Sequence, residues 1–213
     1  MDPAESKKHL TLSEFTCTFV PFALLLAAAM MAPETPQILD NHRAVYTIEA
    51  LVYYRVIYSI WLTMAFLIVA EVLFFLPGDS DRKTNYWLLC WTFGFLAFMV
   101  HFYYTIGVVF HGSLREVYAK QGVIIATSNL IDAAWWAFDL LLAWFVSSKA
   151  KWIRVQRILA HLYIPATFFV SAVVIKHGFV RGLGIVMTLA IVISITLRLV
   201  RRKHLISASP RPA

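Results

Sequence analysis

Charged residues are scarce in this chain. They make up 15% of its 213 residues, where soluble domains carry about a quarter. Hydrophobic residues supply 60%, and the mean hydropathy is +0.70. No soluble fold of this size could hide that much apolar surface, so lipid must cover it. Cysteine is also rare. Cys17 and Cys90 both fall inside apolar segments without CxxC or Cys/His spacing, so neither a redox motif nor a zinc site is indicated. They read as small hydrophobes within helices. Equally absent are an H-E-x-x-H helix, an Asp-rich diphosphate motif, a serine elbow, an internal repeat and a low-complexity tract. No motif names a cofactor.

What is present is a series of long apolar runs. Six stretches, near 16–32, 56–76, 86–110, 123–146, 158–175 and 182–200, approach or exceed the roughly 20 helical residues that cross a hydrocarbon core. The expectation is an all-α, polytopic transmembrane bundle occupying residues 1–213 as one integral membrane domain. It has about six spans, or five if the first is cleaved or lies at the interface. Lys7-Lys8 followed by Ala27-Ala28-Ala29-Met30-Met31-Ala32 also resembles a signal peptide. Pro33 directly after the small residues makes a poor cleavage position, so a retained helix is favoured. The stretch from Asn41 to Arg55 is expected along the outer interface, and residues 201–213 as a basic, disordered tail.

The net charge of +7 does not indicate nucleic acid, because the basic residues lie between the apolar runs and at the C-terminus. With the N-terminus inside, cytoplasmic segments collect Lys7, Lys8, Arg82, Lys83, Lys149, Lys151, Arg154, Arg157, Arg198, Arg201, Arg202, Lys203 and Arg211. Outer segments keep Arg43, Arg55, Arg115, Lys120, Lys176 and Arg181, which gives 13 against 6. Positive residues favour the cytoplasmic side, so both termini are expected there.

Ionisable groups inside spans are costly, and each is a functional candidate. They are Glu71, His101, Asp132, Asp139 and His161. In the fourth span Asn129, Asp132, Trp136 and Asp139 recur at steps of three, four and three residues, which places them on one helical face. That face must look into the bundle. Trp135 and Trp136 sit at mid-span rather than in an interfacial belt and suggest an aromatic-walled pocket, although large aromatics also pack neighbouring helices. At 1.5 Å per residue, His101 and Asp132 fall at a similar depth and are expected to pair. The same spacing brings Glu71, Asp139 and His161 together near the cytoplasmic third.

Asp132, Asp139 and Glu71 are therefore the candidate catalytic acids. Asn129, Trp135, Trp136, His101 and Tyr104 are candidate substrate contacts, and His161 is a candidate metal ligand. Acids with a histidine can bind a divalent metal, act as acid and base, or relay protons. They can also do no more than fix helix register. His101 and His161 lie too far apart in depth to share a haem. His42, His111 and His177 gather on the outer side without diagnostic spacing. Gly94, Ala97, His101 and Thr105 form a small-residue side on which helices can approach closely. Pro165, four residues after His161, is expected to kink its helix.

Three functional classes remain open at this level. One is an embedded site that binds or transforms a lipophilic small molecule. Another is a proton- or ion-coupled transporter or channel. The third is a non-catalytic subunit of a larger membrane complex, a redox complex among the candidates, its partners being other membrane proteins or further copies of this chain.

Overall fold

The computed structural model describes residues 10–32, 48–78, 80–148, 150–175 and 178–207. All their regular structure is helical. In chain order the helices are α1 (Leu12–Met31), α2 (Ile48–Phe75), α3 (Asp81–Phe102), α4 (Leu114–Gln121), α5 (Val123–Phe145), α6 (Lys151–Phe169) and α7 (Phe179–Ser207). Two π-helical segments, π1 (Tyr103–Val109) and π2 (Val170–Ile175), prolong α3 and α6.

Five of these rods are long and apolar enough to cross a membrane: α1, α2, α3 with π1, α6 with π2, and α7. The fourth predicted span forms α5, 23 residues long. Asn129, Asp132 and Asp139 lower its apolar content, and they turn inward. Helix α7 continues past the expected end at residue 200 to Ser207. Residues 208–213 of the expected tail, and most of the stretch before α2, lie outside the described residues.

Local chemistry sets the helix ends. Thr11 and Glu14 form a reciprocal capping box on α1, with bonds of 3.2 and 3.1 Å, which satisfies two orphan amides. Ser80 caps α3 by accepting from the Lys83 amide at 3.2 Å, and Ser113 caps α4 by accepting from the Glu116 amide at 3.3 Å. The last carbonyls of α1 and α2 meet cations. Arg55 Nε donates to the Met30 carbonyl, and Lys83 Nζ donates to the carbonyls of Leu76 and Gly78. Hydroxyls within the apolar rods return to their own helix, as Thr63 does to Ser59 and Thr188 to Gly184.

The helices run up and down. Glu14 near the start of α1 meets Asn85 near the start of α3 at 2.9 Å, so these two run in parallel with α2 between them. Asp139 near the end of α5 meets Trp91 of α3, so α5 runs against α3. The Arg201 guanidinium lies beside Gly78, in the turn between α2 and α3. The described ends of the chain therefore share one end of the bundle.

Close approach explains two glycines. A Cβ on Gly94 of α3 would sit 3.2 Å from the Trp136 ring, and one on Gly184 of α7 would sit 2.7 Å from a Val173 methyl and 2.9 Å from the Ala172 Cβ. Gly184 thus lets α7 lie directly on π2. Gly184→Ala is expected to cost about 1–3 kcal/mol, the usual penalty for overpacking. Thermal unfolding in detergent would show the loss, and an unchanged transition would refute the close contact.

Candidate functional site

The inward stripe of α5 meets its partners at two depths. At the first, Asp132 is 2% exposed and its Oδ2 lies 2.7 Å from Thr167 Oγ1 of α6. That hydroxyl is also 2.7 Å from the Ile164 carbonyl, and its single hydrogen serves one of the two acceptors at a time. The expected His101–Asp132 pair does not form. His101 Nδ1 instead donates to the Val56 carbonyl of α2 at 2.9 Å. The closely packed α2–α3 pair supplies that acceptor. That bond fixes the tautomer, so Nε2 presents a lone pair 3.5 Å from Thr105 Oγ1.

The second depth lies seven residues further along α5, about 10 Å by helical rise. Asp139 is fully buried. Its Oδ1 accepts from Gln156 Nε2 at 2.7 Å and from Arg157 Nε at 3.3 Å. Its Oδ2 accepts from the Trp91 indole at 3.0 Å. Beside it, His161 Nδ1 lies 2.8 Å from Glu71 Oε1, with both side chains at 0% exposure. The imidazole stacks on Phe74 at 3.8 Å and lies 4.1 Å from the Trp91 ring. Trp91 thus touches both acid–base pairs. As the spacing predicted, Glu71, Asp139 and His161 come together.

Arg157 is the main correction. Its place among the cytoplasmic loop cations assumed a fifth span starting at 158. Helix α6 starts at Lys151, and Arg157 is 2% exposed. Its guanidinium faces Asp139 on one side and stands 5.3 Å over the Trp87 ring on the other. A buried carboxylate gives the cation a reason to be inside that an apolar-run criterion cannot register. The signal that could have found it is the four-residue step from Arg157 to His161, which puts both on one helical face. Gln156, Thr167 and the buried Glu14 were missed as well.

The adjacent tryptophans part company, as a rotation of about 100° per helical residue requires. Trp135 is half-buried, donates to Gln156 Oε1 at 3.0 Å and leans on Tyr163. Trp136 is fully buried against Trp91, Phe98 and Phe168. Its ring fills the space where a ligand pocket was expected. Tyr104 lies on π1 under the Arg55 guanidinium, 5.8 Å from ring centre to cation, away from the acids. Asn129 donates to Gln121 Oε1 at 3.1 Å. With His101, Thr105 and Gln121 it lines a cavity of about 30 Å³, room for one or two waters.

Among the described residues no three His, Cys, Asp or Glu side chains gather closely enough to hold a metal ion. His161 has one carboxylate partner, which leaves its expected metal role without a ligand set. His111 is exposed and 3.9 Å from Glu116, while His42 and His177 lie outside the described residues.

The chemistry open to the inner centre is proton exchange. Asp139 and Arg157 cancel each other's charge. Glu71 and His161 are neutral together when one proton lies on the line between them and another on Nε2, and carry a net charge of −1 when one is withdrawn. Two carboxylates, a guanidinium and an imidazole buried together can store such a change only because each charge has a partner in place. Comparison with protein-family models, with curated proteins and with solved structures finds no match for this chain.

Proposed function

We propose that this multi-pass membrane protein is a proton-coupled transporter whose working centre is the Glu71–His161 pair beside Asp139–Arg157. The observation that carries the reading is the 2.8 Å hydrogen bond between two ionisable side chains with no exposure at all. Ionisable residues at such depth mark proton relays and coupling sites in membranes. The polar groups also form a ladder. It runs from the cavity at His101 and Asn129, past Asp132 and Thr167, to the centre, and then through half-buried Gln156 to exposed Arg154. Trp136 stands between the two depths as an apolar barrier. The lipophile-binding alternative has less support, since that ring occupies the space an apolar ligand would need.

Orientation follows from charge. Exposed Arg82, Lys151, Arg154, Arg198 and Arg201 gather at the end of the bundle that holds both described chain ends. That end is therefore cytoplasmic. Protease added outside intact cells should spare a tag at either terminus, and cleavage of either would reverse the assignment.

Flux tests the function. Proteoliposomes holding the full chain should dissipate an imposed pH gradient faster than empty ones. Glu71→Gln keeps the shape and a hydrogen bond to His161 but gives up the exchangeable charge, and should return the rate to background. If wild type and Glu71→Gln behave alike, the proton reading is wrong.

A further inference from the structure

Four polar atoms at the inner centre are buried without a protein partner: Glu71 Oε2, Trp87 Nε1, Arg157 Nη2 and His161 Nε2. Their residues touch one another. Glu71 and His161 share a hydrogen bond, the His161 and Trp87 rings lie 5.6 Å apart, and the Arg157 guanidinium stands over that same indole. They belong to α2, α3 and α6, and none of the four side chains is more than 3% exposed.

Leaving such a group unbonded in a buried site is costly. Elsewhere among the described residues the buried side-chain atoms without a partner are Trp61 Nε1, Asp132 Oδ1 and Trp136 Nε1. Four in one contact group ask for a common occupant, and the atoms define its chemistry. The indole and the guanidinium only donate, the carboxylate oxygen accepts, and the imidazole nitrogen does either according to its proton. The occupant must accept from two groups and donate to at least one. No charge is required of it while Asp139 balances Arg157 and the Glu71–His161 pair holds both of its protons. It must be small, because the rings of Phe74, Trp87 and Trp91 close around the imidazole.

The geometry points to a bound-water site, one or two molecules held between Glu71, His161, Arg157 and Trp87, that joins the two acid–base pairs into one hydrogen-bonded unit. Buried water of this kind is structural and takes about three hydrogen bonds. For its role in proton transfer the site rests on the transport reading, whereas its occupancy does not. A unit joined in this way spreads an added proton over both pairs.

Infrared difference spectra of the reconstituted full chain, recorded in ordinary and in oxygen-18 water, test the site. An O–H stretching band of weakly bonded internal water should shift with the isotope. Trp87→Phe removes one donor while keeping an aromatic ring and should displace the band, as should Glu71→Gln. Trp61→Phe should leave it in place, because Trp61 lies ten residues from Glu71 along α2, about 15 Å. Should Trp87→Phe fail to fold by circular dichroism, Glu71→Gln decides alone. No isotope-sensitive band, or one that ignores every variant that folds, overturns the proposal. A band without proton flux upholds the water site and overturns the transport function, and flux without a band does the reverse.

Discussion

Arg157→Met should lower the stability of the folded protein by about 3–5 kcal/mol, the range for removing one partner of a buried ion pair. The loss comes from the group left behind. Asp139 is fully buried and accepts from Arg157 on the oxygen it shares with Gln156. Without the guanidinium, the Gln156 and Trp91 bonds remain but supply no opposite charge. Methionine fills much of the lost volume, so packing contributes little to the difference. The double variant Asp139→Leu with Arg157→Met removes both charges and should recover most of the loss, because replacing a buried pair by apolar groups is close to neutral. Unfolding followed by circular dichroism in mild detergent gives all four corners of that cycle. A single variant as stable as wild type would mean that Asp139 does not depend on the guanidinium. A double variant no better than the single would mean that the loss does not come from the stranded carboxylate.

Trp136→Ala is the second large effect, at about 3 kcal/mol. Core Trp→Ala changes in soluble proteins cost about 3–5 kcal/mol. The lower end applies here, because the lipid-exposed reference state is itself apolar and mainly packing is lost. The indole is fully buried, packs against Trp91, Phe98 and Phe168, and is the surface on which Gly94 rests. Its removal leaves a hole bounded by three helices. Trp135→Ala is the control. That side chain is half-buried and its one hydrogen bond goes to Gln156, so its loss should cost nearer 1 kcal/mol. Equal effects at the two positions would show that the inward and outward faces of α5 have been misassigned.

The contrast between those neighbours illustrates what could be read in advance. Steps of three and four residues placed Asn129, Asp132, Trp136 and Asp139 on one side of a helix, and a carboxylate facing lipid has no partner, so their inward direction followed from periodicity and solvation alone. Depth counting also brought Glu71, Asp139 and His161 to one level, because helical rise is fixed and alternate spans run in opposite senses.

Partner choice followed a different logic. His101 and Asp132 share a depth, yet one turned to the Val56 carbonyl and the other to Thr167. Depth is one coordinate, while rotation about each helix axis depends on which neighbour packs most closely. Arg157 shows the same limit. A hydropathy run ends at the first cation, and nothing local says that a carboxylate waits 18 residues earlier in the chain to receive it. The sequence by itself thus determined an apolar helical bundle, its approximate spans and the inward face of α5, since those depend on composition, period and the cost of exposing charge to lipid. Tertiary structure alone decided that Trp136 fills the interior rather than walling a pocket, and that Arg157 and Trp91 tie two acid–base pairs into one centre, because those outcomes depend on how neighbouring helices rotate and how closely they meet.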